Sequence, residues 1–322
     1  MTIIPYNPYL ERTPDTQYSD LLRFIRNSPE TFLMKHQYQA RGRWTNIATQ
    51  NLVYYFRNGF PIITERRIPF WKKSITELIL FMKGVHTLEE MVAAGCDWWA
   101  EWVSPEQCEK FGYPPGELGR GSYGPNLARY PWVVKNPETG ELEYRVFNQV
   151  ENLVQSLKDG PNLNGHVITT WIPPLDMQHS KHRREVVVTP CHGTTIQCTV
   201  IDGRKLGLTM GQRSSDAPVG LVANIIQYAA MCIMLGHVCG YEPYVYIHKV
   251  NDAQIYENQI ECVDELLKRD TWGHMLRKPY RFPRLLLTEE GQKVDNIFDF
   301  TADHFELWDY ESHSAMKIPT TL

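Results

Sequence analysis

The sequence predicts a mixed α/β fold of the α+β kind, built on a mixed β-sheet and one long buried helix. Two apolar runs, 196–201 and 205–210, flank Asp202-Gly203, and Asp-Gly between such runs is a strong hairpin signal. Residues 219–238 hold no charged side chain apart from His237, yet include Asn224 and Gln227. Those amides suit a protein core and would be costly in lipid, so the stretch reads as a core helix and not a membrane span. Strand and helix patterns are interspersed without a regular β-α-β rhythm, which points away from an all-parallel sheet.

The elements follow in order. The first forty residues read as a polar helical extension, with short helices at 20–26 and 30–36. Residues 52–56 and 62–64 read as strands around the turn-forming Arg57-Asn58-Gly59. A helix over 74–83 is closed by Gly84, and another covers 87–94. A loop-rich region then runs through Pro114-Pro115-Gly116 to Pro125. Residues 148–157 form a helix and 167–171 a strand, followed by the hairpin and the buried helix. A strand at 244–248 and an amphipathic helix over 253–269 complete the pattern.

The length of 322 residues permits a large core without requiring two domains, and no linker composition interrupts it, so 1–322 reads as one domain. With 33 basic and 37 acidic residues the net charge is -4, which supplies no global field for polyanions and leaves nucleic acid an unexpected partner. Seven cysteines without Cys-x-x-Cys pairs fit a reducing cytoplasm. The N-terminal segment lacks the pattern of a signal peptide, and a cytoplasmic protein is expected. There is no HExxH, P-loop or strand-to-helix GxGxxG, so neither a metal nor a nucleotide triphosphate or dinucleotide is expected.

Several residues could carry chemistry. A two-residue turn pairing Ile201 with Arg204 would set Cys191 opposite Ser214 and beside Arg213, whose guanidinium would favour a thiolate. Taken singly, a buried structural cysteine and a surface arginine predict the same residues. His192 follows Cys191 directly and points to the opposite face, so it is poorly placed as its base. Glu77 has almost wholly apolar helical neighbours; inside the protein its pKa would rise, and at the surface it would be an ordinary glutamate. Asn224 could read an amide-like edge such as O4 and N3-H of uracil, or join two helices. Trp98, Trp99 and Trp102, with Tyr123 in Gly121-Ser122-Tyr123-Gly124, offer stacking surfaces or plain packing. Asp252-Ala253-Gln254-Ile255-Tyr256 reads as the start of the last long helix, with Tyr256 able to donate to a sugar hydroxyl.

Taken in order, these pieces resemble the thymidylate synthase superfamily over roughly residues 41–322. The matching blocks are Gly59-Phe-Pro-Ile-Ile-Thr-Glu-Arg-Arg67, Glu77-Leu78, Trp99-Ala-Glu-Trp102, Tyr123-Gly124, Pro190-Cys-His192, Gln212-Arg-Ser-Ser-Asp216, Asn224, Asp252 to Tyr256, and Tyr310-Glu-Ser-His-Ser-Ala-Met-Lys317. The resemblance implies a three-layer fold, a homodimer, deoxyuridylate (dUMP) as substrate and 5,10-methylenetetrahydrofolate as co-substrate. It implies Cys191 as the nucleophile at C6, Glu77 and Tyr123 as proton handlers, and Asp216 beside the folate with a catalytic role. Arg41, Arg213, Ser214, Gln212, His192, Asn224 and Tyr256 would then bind the nucleotide, and Trp99 the folate.

The departures bear on the product. Asn164-Gly165 stand where the family carries two phosphate-binding arginines, and Arg183 and Arg184 in the added stretch 178–185 are candidates to replace them. Gln254 replaces a sugar-binding histidine, Ala223 a phenylalanine, and Asn126-Leu-Ala-Arg129 a Gln-Trp-Arg run, while the chain closes Ile318-Pro-Thr-Thr-Leu322. Most of these positions lie where hydride delivery and water exclusion are decided, so the expected product is 5-hydroxymethyl-dUMP, with thymidylate as the close alternative. A nucleotide- or RNA-binding regulator without turnover is the rival from another class. Cys191, Glu77 and Tyr123 together weigh against it, because binding needs none of them.

Overall fold

A computed structural model describes residues 4–35, 41–177, 186–276 and 280–321, with the backbone alone for 270–276. The first helix, α1 (Gln17–Asn27), buries Tyr18, Leu21, Leu22 and Ile25 at helical spacing. The second expected helix does not form: β1 (Phe32–Lys35) is an edge strand with all four side chains exposed, paired antiparallel to β2 (Gly42–Asn46). With neither face buried, no period marked it as a strand.

β3 (Leu52–Tyr55) lies where expected, but Ile62 and Ile63 are buried without joining a sheet. The C-terminal tail takes their backbone groups instead. Tyr310 donates to the Ile63 carbonyl at 2.9 Å, and the His313 N–H to that of Thr64 at 2.9 Å. Next come α2 (Trp71–Met82) and α3 (Leu88–Ala93), the latter capped by Thr87. The region read as loop contains α4 (Pro105–Phe111) and α5 (Tyr123–Ala128), followed by a solvent-facing hairpin of β4 (Tyr130–Lys135) and β5 (Leu142–Phe147). Asn148 caps α6 (Gln149–Asp159). The strand expected over 167–171 is reduced to β6 (Val167–Ile168), because the Thr170 N–H turns to the Gly193 carbonyl at 2.9 Å; α7 (Pro173–Asp176) follows.

The hairpin is present as β7 (Thr195–Ile201) and β8 (Lys205–Gln212), one residue out of the expected register. Ile201 pairs with Lys205 and Thr195 with Gly211. Asp202 and Gly203 both take positive φ, 53° and 64°, as an Asp-Gly turn requires, and Arg204 is the extra residue. Beyond the ladder the strands still meet as needed, since the Arg213 N–H donates to the Cys191 carbonyl at 2.9 Å.

After β9 (Ser215–Asp216), α8 (Gly220–Cys239) packs against α2 and against β8 and β10 (Glu242–Val250). Its length and hydropathy would suit a bilayer, yet 83% of its most apolar window is buried inside the protein. The helix expected over 253–269 begins later. Residues 253–256 form β11 (Ala253–Tyr256), buried at every position between β2 and β9, and only α9 (Ile260–Leu276) is helical. The chain closes with β12 (Arg284–Leu287) and β13 (Phe305–Trp308).

The main sheet has the order β3-β10-β8-β7-β6, with β8 and β10 parallel and the other pairs antiparallel. A second sheet runs β1-β2-β11-β9. The fold is thus the mixed α/β architecture that the sequence predicts.

Candidate active site

The loop before β7 carries the nucleophile candidate. Cys191 retains partial exposure, and its backbone N–H donates to the Tyr123 hydroxyl oxygen at 2.8 Å. That leaves the Tyr123 hydroxyl proton free to face the Cys191 Sγ, 3.2 Å away. Gly193 lets the loop turn back with φ of +68°; a Cβ there would lie 2.5 Å from the Tyr228 hydroxyl.

Arg213, from the end of β8, lies over the Trp171 ring at 4.9 Å and donates from Nε to the Pro190 carbonyl at 2.8 Å. Among the described residues it forms no ion pair, so its outer guanidinium nitrogens remain available to an anion. The Arg213 guanidinium acts on Cys191 in the expected direction, but the enclosure of the thiol outweighs it. Burial raises the thiol above its ordinary value, and the Tyr123 hydroxyl and Arg213 offset this only in part. The sequence showed the cation but not the loss of solvent.

His192 is buried, stacked on Tyr123 at 4.3 Å, with Nδ1 2.8 Å from the Tyr228 hydroxyl. Burial drives its pKa down to about 3, so it is neutral at ordinary pH.

Glu77 is 3% exposed on α2, which decides the choice left open by periodicity. Trp98 and Trp99 donate their indole N–H groups to Oε1, and Gln227 of α8 donates to Oε2. Even with three donors, burial pushes the carboxyl up to about 7. Trp98 and Trp99 were expected only as flat surfaces; the indole N–H groups that orient a carboxylate left no separate mark in the sequence.

Asn224 lies within the same polar group. Its Nδ2 donates to Gln227 Oε1 at 2.9 Å, and its Oδ1 accepts from Gln212 Nε2 at 2.9 Å. Gln212 Oε1 is 2.8 Å from His248 Nε2, and His248 Nδ1 is 2.9 Å from the Tyr246 hydroxyl. Tyr228, His248 and Tyr246 are members that sequence reasoning missed, and Gln227 stands out in the sequence only as a polar residue of a buried helix. The one available signal was Gln227, three residues after Asn224 on an otherwise apolar helix.

The Asp216 carboxylate accepts from Gln259 Nε2 at 2.9 Å and from the Val219 N–H at 3.2 Å, and burial raises it to about 7. The same Gln259 Nε2 reaches the Pro319 carbonyl at 2.9 Å, so Asp216 is tied to the C-terminal tail. Ser214 Oγ accepts from Gln254 at 3.1 Å, and Tyr256 is buried on β11 in place of the expected helix start.

Arg41 is exposed just before β2 and makes no contact with this cluster among the described residues. Asn164 and Gly165 lie before β6, Asn164 exposed, while Arg183 and Arg184 fall outside the described residues. Two surface clefts of about 330 and 310 Å³, lined by residues such as Asp15, Tyr54 and Arg57 or Arg67, Trp71 and Tyr310, contain none of the cluster. The convergence of a thiol, a guanidinium without an ion pair among the described residues, a buried carboxyl and oriented amides locates the site away from these two clefts.

The family model for thymidylate synthase matches residues 16–322. The chain belongs to the thymidylate synthase family. A curated thymidylate synthase of Mycoplasma mobile is 28% identical over 315 residues, covering 94% of this chain and 98% of that protein. The chemistry of the thymidylate synthase family is folate-dependent one-carbon transfer to C5 of dUMP, and the protein is a one-carbon transferase of that kind. Methylenetetrahydrofolate enters this chemistry as a co-substrate.

Proposed function

We propose that this protein adds a one-carbon unit from 5,10-methylenetetrahydrofolate to C5 of dUMP through a Cys191 adduct at C6 and releases 5-hydroxymethyl-dUMP. C5 of a pyrimidine is a poor nucleophile until sulfur adds at C6 and makes the ring an enolate. The observation that carries the reading is the placement of Cys191 between the Tyr123 hydroxyl and Arg213. The thiol needs help to ionise, and substrate phosphate held on Arg213 would bring the ring to it. Ser214 lies next to that arginine, with Gln212 behind it.

Asn224 meets O4 and N3-H of uracil, Glu77 exchanges protons near neutrality, and Tyr123 assists loss of the C5 proton. His192 packs beneath Tyr123, Tyr256 takes the sugar side, and Asp216 and Trp99 take the folate side. Arg41 is proposed as a second arginine for the phosphate, and Arg183 and Arg184 as the replacement for the pair that reaches the phosphate of a neighbouring subunit in a homodimer. A reducing cytoplasm accommodates the seven cysteines, all of which are free.

Support for water over hydride as the final reactant comes from Ala223, the one residue between Leu221 and Gly236 that is not buried. A side chain as small as this methyl group, partly exposed beside Asn224, would let water approach the ring from that side. The second reading is methylation to thymidylate, favoured by similarity across nearly the full length of a curated thymidylate synthase. Incubation of dUMP with the folate separates them. Hydroxymethylation gives a nucleotide heavier by CH2O and no dihydrofolate absorbance; methylation gives one heavier by CH2 with stoichiometric dihydrofolate. Absence of tritium release from C5-labelled dUMP would instead favour a nucleotide-binding regulator.

A further inference from the structure

Five hydrogen bonds link Glu77 to Tyr246 in one chain, and its direction follows from Glu77 at one end and from the Ser214 carbonyl, which accepts from Gln212 Nε2, along its length. An ionised carboxylate only accepts. Gln227 must therefore present Nε2 to Glu77 Oε2 and leave Oε1 to accept from Asn224 Nδ2. That fixes Asn224 Oδ1 toward Gln212 Nε2, and Gln212 Oε1 toward His248 Nε2. His248, held neutral by burial with its pKa near 3, then carries its proton on Nε2, and Nδ1 accepts from the Tyr246 hydroxyl. Every donor points toward Glu77.

Asn224 retains one N–H and one oxygen lone pair outside the chain. Held in this sense, it offers N–H to an acceptor on the Gln227 side and oxygen to a donor on the Gln212 side. A turned amide would exchange the two. Uracil presents O4 as acceptor and N3-H as donor, whereas cytosine presents N4-H2 as donor and N3 as acceptor. One asparagine can thus complement either base, according to which way its amide faces.

We propose that Gln227 is a positioning and specificity-determining residue: it carries the ionisation state of Glu77 to Asn224, so that the ionised carboxylate sets the amide to read uracil against cytosine. This rests on Asn224 being the pyrimidine contact in the reading above. A proton on Oε2 in line with Gln227 is accepted only if the Gln227 amide turns, and the turn passes along the chain to Asn224. The chain is then held in its original sense only from Gln212, whose Nε2 also donates to the Ser214 carbonyl at 3.1 Å, and the protonated carboxyl opposes that hold.

The groups facing Glu77 are the two indoles, Gln227 and Tyr228 of α8, Cys191 and Cys96. The two thiols and the phenol are pushed upward by burial, so Glu77 is the member that titrates near neutrality.

The test is the ratio of Kd for dCMP to Kd for dUMP, measured by calorimetry from about pH 6 to about pH 8.5, on either side of the raised Glu77 value of about 7. The phosphate titrates alike in both nucleotides and cancels in the ratio. For the wild type, discrimination in favour of dUMP is expected to grow about tenfold or more as Glu77 ionises, the worth of one to two matched hydrogen bonds. Gln227→Met, which keeps length but neither donates nor accepts, is expected to flatten that dependence, and Glu77→Gln to do the same from the other end.

A flat ratio in the wild type overturns the proposal. So does a pH dependence that persists undiminished in whichever of the two variants folds. Failure of the wild type to bind either nucleotide overturns the substrate reading itself, and with it this inference.

Discussion

Replacement of Glu77 by glutamine should abolish turnover and make the protein more stable in alkaline solution relative to the wild type. The carboxyl is raised from 4.5 to about 7 by burial. A group with a raised folded-state pKa stabilises the fold most below its unfolded pKa, and that contribution is lost as pH rises through the folded value. Between about pH 5 and about pH 8 the loss amounts to about 2–3 kcal/mol, from the linkage relation and 1.36 kcal/mol per pH unit. For a chain of 322 residues the average unfolding entropy converts this to about 4 °C in Tm.

Glutamine has no charge to desolvate, so this part of the pH dependence disappears in Glu77→Gln. Its amide still cannot match all three donors, because its own NH2 meets one of them, at a pH-independent cost of about 1 kcal/mol. The assay is the difference in Tm between variant and wild type at the two pH values, with tritium release measured in parallel. Asp216, raised to about 7, contributes the same sign to both proteins and cancels in the difference. A Tm difference that is the same at both pH values would refute the argument that Glu77 is held in the folded protein at the expense of stability.

Other outcomes follow from the same geometry. Cys191→Ala should eliminate tritium release while retaining dUMP binding; retained release would remove sulfur from the mechanism. Alkylation of Cys191 should accelerate only as pH enters the alkaline range, and still later in Arg213→Ala, because that change removes one of the groups lowering the thiol. The same variant should weaken dUMP about 10- to 100-fold by calorimetry and leave deoxyuridine binding unaltered, since charge-assisted bonds to phosphate are the ones lost. Gly193→Ala should lower stability by about 2 kcal/mol or more in urea titration, because alanine at a φ of +68° is strained and its Cβ meets the Tyr228 hydroxyl.

Where burial imposed a period or a turn chemistry, the sequence was legible. The Asp202-Gly203 turn, the apolar stretch of α8 and the amphipathic α1 all appear where their residues require them. Segments whose state is set by tertiary partners were not legible. β11 is a strand because β2 and β9 flank it, and the helical pattern of α9 extends backward through it in sequence. Ile62 and Ile63 satisfied every local criterion for a strand and lost it to a tail more than two hundred residues away. The register error at the hairpin had little effect on the site, because the contact between Cys191 and Arg213 lies past the ladder, where loop hydrogen bonds govern.

Residue types and order marked the site before the geometry did, and the buried amides show why. An apolar helix in a core gains nothing in stability from asparagine and glutamine; well-packed hydrophobic side chains in place of a buried polar network are often neutral or stabilising. Every buried amide also demands partners, since leaving one unpaired costs about 1–3 kcal/mol. Asn224 and Gln227 meet that demand by bonding each other, and then by recruiting Gln212 from β8 and Glu77 from α2. The consequence is a carboxyl that burial destabilises in its charged form, held by donors from two further elements. Such an arrangement is poor as a device for folding. It is well suited to hold a proton and a hydrogen-bonding edge at fixed positions in front of a flat ring. Polar residues on the α8 face toward α2 were thus the most informative feature of the helix, because stability alone gives no reason for them to be there.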